Sequence, residues 1–470
     1  MPQFQPQQLA ADAAGTWHGV STAPVTAWAI DSRSLQAGDM FVALRTDKRD
    51  GHEFLADAAG RGASAALVTR VVPGLALPQL LVADTLVALQ AVARAHRARF
   101  SGMVAGVTGS AGKTSTKDLL AVLLGEPGVV LATEGNLNNH LGVPLTLLRL
   151  DPARHQCAVV EAGISGAGEM DVIADMIRPD LALITTVAPA HLDGLGSVEG
   201  VATEKARLAA HRQQGGVAVF PATCLTYRAF REIAGPAFIA APSGAVLPGL
   251  PADAQFVPFA VRHQGVVTRL CLTWHGAVEE FDLRRVTTGM AGNAALALAA
   301  ALHAGISVDV LRDRLPRWRP AALRGEVRRS GDRTIYLDCY NANPASMADA
   351  VEAFVAIAPA DAPRLFVVGC MEELGDASAA LHLATGEHWP LRAGDRLIVF
   401  GTQAGELAAG ARGVAPKAHV LVNPDRAEAT RLVREFRGAI FLKGSRRYAL
   451  ETLLASGDAN PAGQPREVAA

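Results

Sequence analysis

Short apolar runs recur along the chain, each closed by a glycine, amide or acid and most followed by a stretch of helical apolar spacing. That alternation of strand and helix periods predicts α/β architecture with parallel sheets. In residues 1–100, Trp28-Ala29-Ile30 ends in Asp31-Ser32-Arg33, and Met40-Phe41-Val42-Ala43-Leu44 follows a Gly38-Asp39 turn. A helix is predicted over 50–62, a strand over 63–68 and a helix over 86–100. In residues 101–318, strands are predicted at 103–105, 157–160 and 181–187, and helices at 117–124, 201–211 and 291–304. Between 215 and 283 short strand-like runs alternate with turns, as in 266–274, and predict an antiparallel excursion. Leu315-Pro316-Arg317-Trp318-Arg319-Pro320 reads as a boundary. Beyond it, strands at 334–338, 364–369, 396–401, 419–422 and 439–442 alternate with helices, the pattern of a Rossmann-like doubly wound domain. Three domains are therefore expected, at 1–100, 101–318 and 319–470: a small α/β domain, a central domain with a parallel-rich sheet, and a doubly wound domain. The last ten or so residues are expected to be disordered.

Composition narrows the function classes. The 470 residues are 50% hydrophobic, enough for several buried cores. Lys plus Arg is 44 against 45 for Asp plus Glu, so no charge excess points to nucleic acid or an anionic membrane. The five cysteines are scattered and show no Cys-x-x-Cys pair, which argues against a disulfide frame or zinc site and fits a reducing cytoplasm. The N-terminus lacks the basic start and apolar core of a signal peptide. The longest apolar tract, 294–304, is too short to span a bilayer, so no membrane insertion is expected.

The candidate chemistry starts at Gly109-Ser110-Ala111-Gly112-Lys113-Thr114-Ser115, between a buried strand and a helix. This is a shortened phosphate-binding loop, with Val107 where the commoner spacing has a glycine. Glycines let successive N–H groups curl around an anion, and the helix N-terminus adds favourable partial charge. Lys113 would reach the β/γ-phosphates and the Thr114 hydroxyl a Mg²⁺ ion. Glu161 ends a neighbouring strand, where a carboxylate can bind Mg²⁺ directly or through water. His191 follows a further strand of the same expected sheet and reads equally as structural or functional. Asn136, Asn138 and Asn139 form either a polar turn or a set of hydrogen-bonding groups. Arg33 suits a phosphate or a structural ion pair. Glu204, Lys205 and Arg207 read as a solvated helix face.

Taken together these features resemble the Mur ligases of peptidoglycan synthesis, ATP-dependent amide-bond formers with three domains, over nearly the whole chain. Tyr340-Asn341-Ala342-Asn343-Pro344, Gly369-Cys370-Met371-Glu372-Glu373-Leu374-Gly375 with His382, and Leu442-Lys443-Gly444-Ser445-Arg446 are most similar to the branch that adds D-alanyl-D-alanine. The Asp-Asn-Pro motif expected of the sibling that adds the third peptide residue is absent. The resemblance implies that ATP, Mg²⁺, UDP-N-acetylmuramoyl-tripeptide and D-alanyl-D-alanine are the ligands of a cytoplasmic, monomeric enzyme. It implies that Ser32 and Arg33 hold the uridine diphosphate end, and that Asn138, Asn139, Asn341 and Asn343 lie by substrate. ATP would meet residues 109–115, with Asn293 on adenine and Arg324 and Asp338 reaching it from the third domain. Glu161 would bind one Mg²⁺ and His191 a second, supported by a carbamylated Lys205; Lys113, Glu161, His191 and Lys205 form the catalytic set.

Five positions depart from what the resemblance leads one to expect. Gly289-Met290 stands in place of His-Asn, Arg207 in place of an acid, Cys370 in place of Asp and Thr46 in place of glycine. Another amide ligase of this architecture, third-residue-adding or folylpolyglutamate-like, and a nucleotide-binding paralogue without ligase activity stay open as alternatives.

Overall fold

The computed structural model describes residues 2–21, 23–247, 249–265 and 267–455. Val266, the first residue of one expected strand, and the expected disordered terminus beyond 455 lie outside the described residues. Three large sheets follow one another along the chain.

The first has five strands in the order Thr16–His18, Gln79–Leu81, Ala65–Val68, Met40–Val42, Trp28–Ala29, parallel except at the Thr16–His18 edge. The helix expected over 50–62 is divided. Asp50 accepts from the His52 N–H and caps a 3-10 turn, Gly51–Phe54, before the Leu55–Gly60 helix begins. The Thr85–Arg99 helix then carries the chain onward, N-capped by Asp84.

The second sheet has nine strands in the order Ala277–Arg284, Val267–Trp274, Ala254–Gln264, Ala237–Pro242, Val217–Pro221, Leu181–Ile184, Met103–Thr108, Cys157–Glu161, Val130–Ala132. The antiparallel excursion expected over 215–283 is confined to its end. Only the last three strands in sequence pair antiparallel, whereas Val217–Pro221, Ala237–Pro242 and Ala254–Gln264 extend the parallel sheet. The physical reason is burial on both faces: Val217 to Phe220 and Ala237 to Ala241 are all buried, the signature of interior parallel strands rather than of a half-solvated hairpin. The Thr288–His303 helix packs across this sheet and against the Lys113–Leu124 helix.

The third sheet has six strands in the order Glu326–Ser330, Arg333–Asp338, Ala439–Lys443, Arg364–Gly369, Arg396–Phe400, His419–Val422, all parallel except the Glu326–Ser330 edge. That edge strand, Glu-Val-Arg-Arg-Ser, carries too few apolar positions to announce itself. The remaining five strands are the expected doubly wound set. No helix among the described residues is long and apolar enough to cross a membrane.

The cores divide unevenly. One apolar cluster runs without interruption from Phe4, Leu9, Met40, Leu67 and Leu80 through Leu89 and Val92 to Val104, Val143 and Ile173. The first sheet and one face of the second thus share a core. The two clusters behind and before the third sheet consist entirely of residues from Val327 to Leu454.

Candidate active site

The phosphate loop lies where the Met103–Thr108 strand turns into the Lys113–Leu124 helix. Gly112 sits at φ 76°, left-handed, so that the helix can start without a side chain in the turn. A Cβ there would fall 2.3 Å from Asn293 Nδ2, so the Asn293 amide lies directly against the loop. Ser110 is stitched down on both sides: its hydroxyl donates to the Ala188 carbonyl at 2.9 Å and accepts from the Ala188 N–H at 3.0 Å. The Lys113 ammonium donates to the Gly109 carbonyl at 2.8 Å. Lys113 faces the cavity, yet the atoms packed round its amine push its pKa down; the Glu161 carboxylate opposes that shift and the Arg324 charge adds to it.

A cavity of about 1050 Å³ opens over this loop. Residues 110–115, Asn138, Asn139, Glu161, His191, Asn293, Arg324, Asp338, Asn341 and Asn343 all line it, and Gly109 closes the loop from below through the Lys113 bond. Residues of the second and third sheets therefore meet here. Ser32 and Arg33 are not among the lining residues. Ser32 is buried and bonds to Asp57, and Arg33 is exposed and forks onto Asp31, whose carboxyl it holds down at about 2.

Glu161 is 1% exposed. Its Oε1 accepts from Asn138 Nδ2 at 2.8 Å, while Oε2 is buried with no hydrogen-bond partner. A buried, unpaired carboxylate oxygen is costly unless a cation or donor arrives. Asn139 uses its Oδ1 to accept from the Leu141 and Gly142 N–H groups in the turn that leads into the Gly142–Leu147 helix. His191 sits at φ 54° and its Nδ1 bonds Glu373, itself at φ 61°; this histidine holds the Glu373 carboxyl below its usual range. Two left-handed non-glycine residues facing each other across two sheets mark a contact that the surrounding structure must impose.

Lys205 corrects the plain reading of its helix. It is 1% exposed rather than on a solvated face and is not among the lining residues of the cavity, and Glu204 beside it is buried too. Glu204 accepts from the Gly168 and Met170 N–H groups at the start of a neighbouring helix. Burial, with the nearby Lys113 charge second, drives the Lys205 amine well below its ordinary pKa. Arg207, where an acid was expected, pairs with Asp171 and with Glu204. It thus serves the packing of two helices.

From the third domain, the Arg324 guanidinium stacks 4.0 Å over the Tyr340 ring. Asp338 accepts from the buried Lys443 ammonium at 2.6 Å, and Lys443 also donates to the Asn341 carbonyl at 3.1 Å. Asn341 turns its Oδ1 back to accept from the Ala342 N–H at 2.8 Å. Asn343 has both ends of its amide engaged with protein: Nδ2 donates to the Ser110 carbonyl at 2.9 Å and Oδ1 accepts from the Ser346 N–H at 2.9 Å. One donor and one acceptor of this amide are thus spent on protein, although the residue also lines the cavity. Lys443 and Asp349 are two of the lining residues that sequence reasoning left unassigned. Lys443 was visible within its motif, whereas Asp349 looks like any acid on a helix surface.

Comparison with known proteins gives a consistent picture. The family model described as Mur ligase middle domain matches residues 107–301, and that described as Mur ligase, glutamate ligase domain matches residues 323–446. The UDP-N-acetylmuramoyl-tripeptide–D-alanyl-D-alanine ligase of Escherichia coli is 33% identical over 79% of this chain and 80% of its own. The protein of the same name from Synechocystis is 35% identical over 82% and 81%. A crystal structure of MurF from Acinetobacter baumannii superposes with a TM-score of 0.83 at 27% identity, covering 96% of this chain and 98% of that one. A MurF ligase from Thermotoga maritima in complex with ADP gives 0.76 at 26% identity, over 91% and 96%.

Proposed function

The chain belongs to the Mur ligase family, and from that premise we propose that it joins D-alanyl-D-alanine to UDP-N-acetylmuramoyl-tripeptide, with ATP cleaved to ADP and phosphate, in peptidoglycan precursor synthesis. One observation carries the proposal: the phosphate loop, Glu161, and Arg324 and Asp338 of the third domain all line a single cavity. The division into domains at 1–100, 101–318 and 319–470 belongs to the same reading, with the first as the holder of the uridine diphosphate end through Ser32 and Arg33.

A carboxylate is a poor acyl donor because its leaving group would be oxide. Transfer of the γ-phosphoryl group to the tripeptide carboxylate makes an acyl phosphate and releases ADP. The amine of D-alanyl-D-alanine then attacks the carbonyl, loses a proton and expels phosphate. The backbone N–H groups of residues 109–115 and the Lys113 ammonium hold the triphosphate and balance its charge. Asn293 and Asp338 orient the nucleoside, and Arg324 adds positive charge from the opposite wall.

Mg²⁺ is tested by the residues themselves. No group of three or more His, Cys, Asp and Glu side chains among the described residues could hold a metal alone. Magnesium needs less from protein, since it keeps waters and phosphate oxygens and takes one or two carboxylates. The unpaired Oε2 of Glu161 and the Thr114 hydroxyl suit a first ion, and His191 and Lys205 a second. When bound, the ions neutralise charge on the phosphoryl oxygens. The low pKa of Lys205 supports its role: an uncharged amine can add to carbon dioxide and lose a proton, which turns a buried lysine into a carboxylate.

The test is phosphate release by the purified protein with ATP, Mg²⁺ and UDP-N-acetylmuramoyl-tripeptide, with and without D-alanyl-D-alanine. Release dependent on both substrates, with a product heavier by the dipeptide less water, is the expected result. ATP binding with no product from either substrate would overturn the proposal in favour of a nucleotide-binding paralogue.

A further inference from the structure

One third-domain helix, Pro344–Ile357, touches the nucleotide-binding half of the molecule through its N-cap Asn343, through Asp349 and, at its exposed edge, through Glu352, which accepts from the Thr288 hydroxyl. Its N-cap, Asn343, donates to the Ser110 carbonyl of the phosphate loop at 2.9 Å. Six residues on, about 9 Å along a helix, Asp349 meets the N-terminus of the Thr288–His303 helix. Its Oδ2 accepts from the Thr287 hydroxyl at 2.6 Å and its Oδ1 from the Gly289 N–H at 2.8 Å.

Gly289 is what admits Asp349. A Cβ at 289 would stand 2.8 Å from Asp349 Oδ2 and 2.9 Å from Oδ1. The space a side chain would take at this position is filled by a carboxylate from another domain. One helical turn further, on the same face, Asn293 lies against Gly112 of the loop. The third domain therefore bonds the loop directly at Ser110, and at Thr287 and Gly289 it bonds the start of the helix that places Asn293 beside Gly112.

We propose that Asn343 and Asp349 form a two-point clamp that sets the phosphate loop and the third domain in register, which makes both of them positioning residues for phosphoryl transfer. Only the kinetic part of this proposal rests on the ligase reading.

Two variants separate the clamp from simple folding. Asn343→Asp keeps an oxygen to cap its helix but replaces the donor facing the Ser110 carbonyl with a second acceptor. Gly289→Ala strikes the other point from the opposite side. Each is expected to lower kcat about tenfold or more, the scale of one well-placed hydrogen bond. The KM for UDP-N-acetylmuramoyl-tripeptide and the melting temperature are expected to stay near wild type. Small-angle scattering of the ligand-free variants is expected to give a larger radius of gyration than wild type. The double variant Gly289→Ala/Asp349→Ala is expected to be no worse than its worse single parent, because both act on one contact. Wild-type kcat and scattering in Asn343→Asp and Gly289→Ala would overturn the clamp. Loss of kcat with unchanged scattering would overturn it too, since the side chains would then not be holding the domains. The scattering comparison needs no substrate, so it stands or falls apart from the ligase assay.

Discussion

The two junctions of the molecule are made of different chemistry. Between the first and second sheets the apolar core is continuous, and the Thr85–Arg99 helix is packed from both sides. Its polar residues add fixed anchors: Arg97, 3% exposed, donates to the Ile177 and Arg178 carbonyls and to Asp180, and Gln90 donates to the His140 carbonyl. Between the second and third sheets the identified contacts are polar and separate: Asn343 on Ser110, Asp349 on Thr287 and Gly289, Glu352 on Thr288, and Glu373 on His191. A shared core releases its parts only by unfolding. A set of hydrogen bonds can be exchanged for water at small net cost. The first junction therefore fixes a distance, whereas the second can open and reclose, as an enzyme needs if it must admit three substrates and then exclude water from an acyl phosphate.

The largest effects are expected at the centre that the second junction closes over. Lys113→Ala and Lys205→Ala should each cut phosphate release by about a thousandfold, as loss of an electrostatic group at a phosphoryl transfer site does. Partial rescue of Lys205→Ala by short carboxylic acids is expected, because they restore the missing carboxylate. Full activity of Lys205→Ala in plain buffer would remove the carbamate role.

Next in size are the two junctions themselves. Leu89→Ala opens a cavity in the shared core and should cost about 2–5 kcal/mol of stability, seen by urea unfolding, with kcat of the folded fraction retained. Thr288→Ala removes only a hydrogen bond to the exposed Glu352 and should cost less than about 1 kcal/mol. Equal losses from the two would erase the distinction between the junctions.

The smallest and most diagnostic effect is of pH. Burial pulls His96, which bonds the Leu150 carbonyl at the first junction, below its ordinary 6.5. The unfolded chain then binds more protons between the two values, so His96 stabilises above about pH 6.5 and that contribution is lost as pH falls toward the lowered value. Burial moves Asp349 the other way, above its ordinary 3.8, with Glu352 and Asp338 adding to the shift and its two donors opposing it. Its contribution is full below about pH 3.8 and is lost as pH rises through the raised value. Acidification should thus weaken the first junction and tighten the second. In unfolding experiments His96→Gln should flatten the fall in stability as pH drops below about 6.5, and in scattering Asp349→Asn should abolish any compaction on acidification.

Much of this was legible along the chain. Strand periods, the glycine turn and Gly112-Lys113-Thr114 are local features, and local features determine where a phosphate loop forms and which strands are buried. The doubly wound third domain could be read from five apolar runs in the same way. Resemblance carried the residue roles further than spacing could. What the chain alone misreported were properties that depend on neighbours. Lys205 lies on a helix whose sequence looks solvated, and Arg207 looked like a lost acid until Asp171 came beside it. The bonds of the Asn343 amide to Ser110 and Ser346 likewise depend on residues that its motif does not announce. Asp349 carried no signal at all, because its partners lie 60 or more residues away in sequence. Most strands and helices, the phosphate loop and the family are encoded in short runs of residues and so could be read along the chain. Which amine is stripped of water, which carboxylate oxygen is left unpaired and how the third domain is tied to the loop depend on the packed fold. Desolvation and pairing sum over everything packed around a group, and residues far apart in the chain supply most of that surrounding.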